Sequence, residues 1–427
     1  MSDLTSELLD RIRTHTLPDL QLGADNLHPV YNGLSILNLP ASLSKWLGAG
    51  DLHHPAIDIP ELDEFADGVE QVVCVLIDAV ALHRFQQWIS KPGSKLATWT
   101  NRGLLGALTS IVPSTTSAAL TTLWTGRSPA EHGILGYEIF LKEYGLIANM
   151  ITHAPASFDG RAGLLYSAGL DPEQFLPVET IGPHFQRADV DVHAFLHYGI
   201  SGSGLSRMHY PAVNAHSFAH PSDLWIAVRT LANQSLDSKR LLWVYYGGVD
   251  GLSHRHGPDS EQAGAEFLDF TNTMVGEFLE EISSTVSPMT MVVLLADHGQ
   301  LTTHKDPHYE LGNHPDLVRR LHMMPTGENR LPYLYTRPGQ TAAVEEYLER
   351  TWPSAFTSLP SSHALEAGLF GPGTPSPRSR DRLGDLTVIT HQDAYLWWAA
   401  KENPLIGRHG GVSQEEMLVP LLALRMG

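Results

Sequence analysis

Three short apolar runs that each lead to an aspartate constrain the fold of this chain more than any other feature. Gln71–Ile77 (QVVCVLI) leads to Asp78, Leu241–Tyr246 leads through Gly247-Gly248 to Asp250, and Met291–Ala296 leads to Asp297. Each run is continuously apolar and rich in β-formers, without the alternation of a strand that has one wet face. The pattern predicts strands buried on both sides, as in a parallel sheet between layers of helix. Carboxylates at the C-terminal ends of such strands meet in one crevice at the carboxyl edge of the sheet. His254 follows Asp250 by four residues and His298 follows Asp297 directly, so imidazoles arrive with the acids. Carboxylates gathered there repel one another unless cations lie between them, and hard or borderline divalent ions take O and N ligands of this kind. The pattern therefore predicts a metal site.

The rest of the chain divides around these strands. Residues 1–65 read as an N-terminal extension with a helix over Leu4–Arg13 and no assignable chemistry. Residues 66–315 read as the α/β core, with an excursion from the sheet, a possible lid, over 141–239. Within the core, Leu82–Trp88, Ser117–Trp124 and Glu261–Ile282 have helical patterns, and Leu104–Val112 reads as a strand. Residues 316–404 mix predicted strands (Arg330–Thr336, Leu386–Thr390) with a helix (Thr341–Thr351) and a Gly/Pro/Ser-rich loop, which predicts a small α+β cap. The chain returns to the core at 405–427 through the Met417–Leu424 strand.

Acidic residues outnumber basic ones by 47 to 28, a net charge of −19, which disfavours polymeric nucleic acid and anionic membranes as partners. An anionic substrate then needs local positive charge, which bound metal supplies. The one cysteine, Cys74, lies inside an apolar strand, so no disulfide framework is expected. The polar N-terminus and the lack of a spanning apolar run predict a soluble, cytoplasmic protein with no membrane segment.

The crevice gathers Asp78, a hydroxyl from Ser114, Thr115 or Thr116 at a helix start, Asp250 with His254, Asp297 with His298, and His409 in GRHGG. That set gives roughly three ligands to each of two ions and leaves positions open for substrate oxygens. Two ions about 4 Å apart suit the in-line displacement of a phosphoryl group. A Thr hydroxyl beside them gains nucleophilicity, and the helix N-terminus favours an anion.

In chain order, Asp78, PSTTSAALTTLWTGRSPAEHGI, DGLSHRHGP, ADHG and RHGG followed by EEMLVPLL resemble the alkaline phosphatase superfamily. Within it they resemble the type I phosphodiesterase/nucleotide pyrophosphatase family. The resemblance implies an alkaline phosphatase-like α/β fold, a mostly parallel sheet sandwiched by helices with an inserted cap. By position it implies one ion held by Asp250, His254 and His409. The other would be held by Asp78, Asp297, His298 and the nucleophile. Counting back nine residues from the Thr125-Gly126 pair gives Thr116 as that nucleophile, with Thr115 and Ser114 as competitors. Zinc is implied, manganese being used by related mutases, along with a covalent phospho-threonine intermediate and a small phosphorylated substrate such as a nucleotide or phosphodiester. Tyr137 stands where nucleotide pyrophosphatases typically carry an Asn that donates to the phosphoryl oxygen, and its phenol could make the same bond. Arg127 and His304 are further candidate substrate contacts, with His308 and His314 belonging either to a polar loop or to the pocket rim. No CxPxR-type motif is present, which disfavours a sulfatase. The alternatives are a phosphomonoesterase, a phosphonoacetate hydrolase-like enzyme or a metal-dependent mutase. In a different class stands a non-catalytic metal-binding interaction protein. The sequence leaves the oligomeric state open.

Overall fold

A computed structural model of the chain describes residues 2–156 and 161–426. The three aspartate-bearing runs are adjacent strands. Gln71–Ile77 lies between Thr290–Leu295 and Lys239–Tyr246, parallel to both, and Cys74 sits in register with Val293 on one side and Trp243 on the other. Every residue of the three strands except Lys239 is buried, as continuous apolar runs require. The full sheet has eight strands, ordered Ser2–Asp3, Leu104–Thr109, Leu418–Arg425, Thr290–Leu295, Gln71–Ile77, Lys239–Tyr246, Val190–His197 and Asn214–Phe218. Leu418–Arg425 alone runs antiparallel to its neighbours. Flanking helices include Leu82–Ile89, Thr116–Thr125, Pro221–Ala232 and Glu261–Met274, the last continuing as a π-helical turn over Val275–Leu279. The expected mostly parallel α/β fold is the observed one.

Two expected boundaries are corrected. Residues 1–65 are part of the core rather than an extension: Ser2–Asp3 pairs with Leu104–Thr109, and the next helix, Thr5–Thr14, buries Leu8 and Ile12. Gly106 gives Leu8 its room, since a Cβ there would stand 3.0 Å from the Leu8 side chain. The segment over 141–239 is not a single excursion: Val190–His197 and Asn214–Phe218 extend the main sheet at its edge, while Leu146–Asn149 and Ala154–Pro155 join a second sheet. Polar residues and glycines dilute the apolar signal there, and Asn214–Phe218, as the edge strand, has only one neighbour to satisfy.

A second, antiparallel sheet of seven strands lies over the carboxyl edge of the first and joins the expected cap to an earlier piece of chain. Its strands come from Thr326–Glu328, Leu331–Leu334, Phe356–Pro360 and Leu386–Thr390, and then from Glu138–Leu141, Leu146–Asn149 and Ala154–Pro155. The seam is the pairing of Gly327 with Glu138. The cap segment has a small core of its own, in which Val344, Leu348 and Trp352 of the Thr341–Thr351 region meet Leu334, Leu386 and Val388. A fully buried ion pair fastens it to the main body. Arg330 donates to both Glu416 oxygens at 3.2 and 3.1 Å. Among the described residues, no helix is long and apolar enough to cross a membrane.

Because Leu8 is 2% exposed within the main core, Leu8→Ala should destabilise the protein by about 3 kcal/mol in chemical unfolding. A loss below about 0.5 kcal/mol, the range of surface substitutions, would return residues 1–65 to the status of an appendage.

Candidate active site

Each strand end delivers its acid by a different local device. Asp78 follows Ile77 and donates its backbone N–H to the Tyr246 carbonyl at 2.9 Å, which ties two of the strand ends together. Asp250 lies in the first turn of the helix Gly248–His256, and His254, four residues on, shares its face. Asp297 accepts backbone N–H bonds at Oδ1 from Ala79 and His298, at 3.3 and 3.0 Å. His409 is brought in by the two-stranded pairing of Gly407–Arg408 with Leu301–Thr302.

These residues converge as two clusters of potential ligands: Asp250, His254 and His409, and Asp78, Asp297 and His298. Within each cluster one ligand atom per residue lies within 4.8 Å of the others. The clusters adjoin, with the His298 and His409 rings stacked 3.9 Å apart. All three imidazoles are oriented alike. Nδ1 of His254 meets the Gly407 carbonyl at 2.9 Å, that of His298 meets Gly299 at 3.0 Å, and that of His409 meets Ser114 at 3.0 Å. A carbonyl accepts only, so each Nδ1 carries the proton and each Nε2 presents its lone pair to the crevice.

Asp78 Oδ1 and Asp297 Oδ2 are buried oxygens without a hydrogen-bond partner. Burial, Asp297 and Asp250 push the Asp78 carboxyl well up, and burial pushes Asp297 up to about 7. Burial and the neighbouring imidazoles hold His409 well below its ordinary value. Orphaned carboxylate oxygens beside imidazole Nε2 atoms are what a divalent cation satisfies, so the residues present fit the implied metal centre.

Thr116 opens the helix Thr116–Thr125, and its Oγ1 lies 3.4 Å from Asp78 Oδ2 and 3.2 Å from His298 Nε2. Ser114 Oγ is engaged elsewhere, donating to the Gly411 carbonyl at 2.7 Å, and Thr115 precedes the helix in an extended conformation. The helix itself is gripped from behind by two buried histidines. His209 Nε2 lies 3.0 Å from Thr121 Oγ1, and His132 Nε2 lies 3.0 Å from Thr122 Oγ1.

A cavity of about 410 Å³ runs from Thr116, Asp250, His254 and His409 past Tyr137 to Glu138, Glu328, Trp398 and Lys401. Tyr137 thus lines it, with its side chain partly exposed. Arg127 does not reach it: its guanidinium pairs with Glu131 at 3.0 Å, beside His53 and His54. That Glu131 group also has ligand spacing, but Arg127 and the Ser128 N–H already satisfy the carboxylate. His304 is also outside the cavity, 84% exposed and paired with Asp393. His314 bonds to the Tyr347 hydroxyl and packs on Trp352, within the cap's core rather than at a rim. In both corrected cases a nearer carboxylate has claimed the side chain.

Sequence reasoning missed the groups that hold the ligands. The Tyr245 hydroxyl donates to Asp78, and the Gln300 amide donates to Asp250. A tyrosine pair closing the Lys239–Tyr246 strand was the readable sign of the first. The cavity wall of Glu328, Trp398 and Lys401 carries no local signal, because the cap sheet and the loop after Thr390 supply it.

Two predictions follow from this electrostatics. Removing a like charge should stabilise the metal-free site, so with chelator present Asp297→Asn should melt about 2 °C or more above wild type at pH 8. The folded pKa of Asp297 is raised, so its stabilising contribution holds at low pH and is lost as pH rises through about 7. Equal melting of the two proteins across pH 5–8 would deny the repulsion. Burial lowers the pKa of both His132 and His209 to about 3. As pH falls below 6.5 the unfolded chain takes up their protons and the native state does not, so stability declines down to about pH 3. His209→Gln, whose amide can still donate to Thr121, should flatten that decline by about 1.4 kcal/mol per pH unit in urea unfolding. An unchanged slope would show that His209 is not buried as a neutral ring.

With this geometry the comparisons with known proteins agree. The family model for type I phosphodiesterase / nucleotide pyrophosphatase matches residues 72–411. Murine ectonucleotide pyrophosphatase / phosphodiesterase 5 superposes with a TM-score of 0.62 at 16% identity, over 82% of this chain and 87% of that one. An inactive variant of the same protein in complex with AMP gives 0.61 at 15% identity, over 83% and 87%. Phosphonoacetate hydrolase from Sinorhizobium meliloti 1021, in complex with phosphonoformate, gives 0.59 at 18% identity, over 82% and 89%. No curated protein matches by sequence. At these identities the structural likeness establishes the fold, and the family model establishes membership: the chain belongs to the type I phosphodiesterase / nucleotide pyrophosphatase family.

Proposed function

We propose that this member of the type I phosphodiesterase / nucleotide pyrophosphatase family is a two-metal hydrolase of small phosphodiesters or nucleotide anhydrides, with Thr116 as nucleophile. The observation that carries the proposal is Thr116 Oγ1 at the start of a helix, within 3.4 Å of Asp78 and His298 and beside two three-residue ligand clusters.

One ion would be held by Asp250, His254 and His409, the other by Asp78, Asp297, His298 and Thr116. Zinc suits the mixed imidazole and carboxylate donors best, and manganese is the alternative. When bound, the ions supply positive charge to the phosphoryl oxygens and lower the pKa of the hydroxyl. Thr116 Oγ then forms a bond to phosphorus as the ester oxygen leaves, giving a phospho-threonine that water hydrolyses to restore the alcohol. The first turn of its helix directs backbone N–H groups towards the phosphoryl position. Asp78, which faces Thr116 Oγ1, would hold the ion that acidifies its hydroxyl.

The diester reading is favoured over a monoester by the cavity, which continues well beyond Thr116 and gives a second organic substituent room. The Tyr137 side chain lies along that path and would stand beside the departing or retained group. The single, buried Cys74 supports the expectation of a reducing, cytoplasmic setting.

The deciding experiment compares bis-p-nitrophenyl phosphate with p-nitrophenyl phosphate after chelation and readdition of Zn²⁺ or Mn²⁺. The diester should turn over faster and only with metal. Thr116→Ala should lose at least about a thousandfold in kcat while retaining two equivalents of bound metal. Full activity in Thr116→Ala would remove Thr116 from the mechanism. Metal-independent turnover would remove the two-ion reading.

A further inference from the structure

The two ligand clusters are held by different outer contacts. The inner one, Asp78, Asp297 and His298, is fully buried, and backbone N–H groups and the Tyr245 hydroxyl fix its acids. The outer one, Asp250, His254 and His409, is partly exposed. It is drawn from two elements far apart in sequence, the helix Gly248–His256 and the turn after Gly407–Arg408. Gln300 bonds its acid from outside the cluster.

Gln300 is fully buried and lies between His298 and the Leu301–Thr302 strand. Its amide nitrogen donates to Asp250 Oδ1 and lies 3.4 Å from the Asp250 carbonyl. Oδ1 is the oxygen that faces the imidazoles, 3.3 Å from His254 Nε2 and 3.9 Å from His409 Nε2. A carboxylate in this crevice accepts, so the amide presents its nitrogen there. The amide oxygen is then left without a hydrogen-bond partner among the described residues. It lies against Gly407, where a Cβ would stand 2.4 Å from it and 2.4 Å from the Ser253 carbonyl. The Gly407 carbonyl in turn meets His254 Nδ1, and His409 is two residues on. The side chain is therefore wedged between the helix and the turn that carry all three outer ligands. From the other side Arg84, 3% exposed, donates to the Gln300 carbonyl at 2.6 Å and to Asp259 at 2.8 Å. A buried acceptor left unpaired costs about 1–3 kcal/mol. A methionine of the same length would fill the space without that cost, and the bond to Asp250 is what it would lack.

We propose that Gln300 is a positioning residue for the outer ion, and that it sets the affinity of the Asp250, His254 and His409 site independently of the inner one. This rests on the two-metal reading. The amide N–H occupies one lone pair of Oδ1 and directs the other towards the space between the two Nε2 atoms. Without that bond the Asp250 carboxylate, in the first turn of a partly exposed helix, gains rotameric freedom that ion binding must then remove. The inner acids keep their own donors and are unaffected.

The test is zinc titration of the chelator-treated protein against a chromophoric competitor, which should give two binding constants for wild type. Gln300→Met should weaken one of them by about ten- to a hundredfold and leave the other unchanged. In a His254→Ala background, where the inner cluster alone is intact, Gln300→Met should have no effect on the remaining constant. Gln300→Asn, too short to reach Asp250, should behave like Gln300→Met and stands in for it if that variant does not fold. Gln300 does not line the cavity, so excess zinc should restore the kcat of Gln300→Met for bis-p-nitrophenyl phosphate to near that of wild type. Weakening of both constants or of neither overturns the assignment. So does an effect in the His254→Ala background, or a kcat deficit that excess zinc does not restore. Two zinc ions bound by wild type in any of those cases leave the two-metal reading standing, and fewer than two remove both.

Discussion

The structure depends on keeping three mutually repelling carboxylates together in a buried crevice. Asp78, Asp250 and Asp297 arrive at the ends of adjacent parallel strands and cannot move apart without breaking the sheet. The protein spreads the cost over fixed donors. Two backbone N–H groups hold Asp297, the Tyr245 phenol holds Asp78, and the Gln300 amide holds Asp250. In Asp78 and Asp297 these bonds occupy one oxygen and leave the other bare. An arrangement selected for stability alone would pair both. Leaving one free on each acid, opposite imidazoles whose Nδ1 atoms meet backbone carbonyls, leaves a set of donors that a cation would complete.

That crevice also explains why the chain needs a second sheet. A parallel sheet places acids at its carboxyl edge but supplies nothing above them. The antiparallel sheet, built from residues on both sides of the main body in sequence, covers the edge and contributes Glu138 and Glu328. Its attachment runs through groups adjacent to the ligands. Glu416 joins Arg330 of the cap and also accepts the Gly411 N–H, two residues from His409. Glu328 accepts the Tyr137 backbone N–H and packs against the Gly410 turn. Positions of the phosphoryl-end residues and of the cavity wall are therefore set by one packed unit.

How much of this was legible in the sequence follows the range of the interactions. The Asp78, Asp250 and Asp297 strand ends were readable because burial on both faces writes itself into consecutive residues. Asp250 and His254 were readable together because four residues is one helical turn. His409, 111 residues beyond His298, stood out by its place in GRHGG and took its ligand role from the resemblance to a family motif. Arg127 and His304 failed for a common reason. Proximity in sequence to a motif says nothing about which carboxylate a long cationic or imidazole side chain will meet, and Glu131 and Asp393 were nearer. The Val190–His197 strand was lost because half its residues are polar or aromatic rather than aliphatic: His193 bonds to Asp191 and His216 along the sheet edge. Side-chain pairing across strands replaces apolar continuity there, and it cannot be read from one strand alone.

The same distinction separates reaction from substrate. Phosphoryl chemistry needs charges placed at strand ends and a hydroxyl at a helix start, and both are local consequences of chain direction. Recognition of the organic group needs a wall that local sequence does not encode, here assembled from the Glu138 strand, the Glu328 strand and the loop carrying Trp398. A chain with a net charge of −19 that takes an anionic phosphoryl group must concentrate positive charge at one end of its cavity.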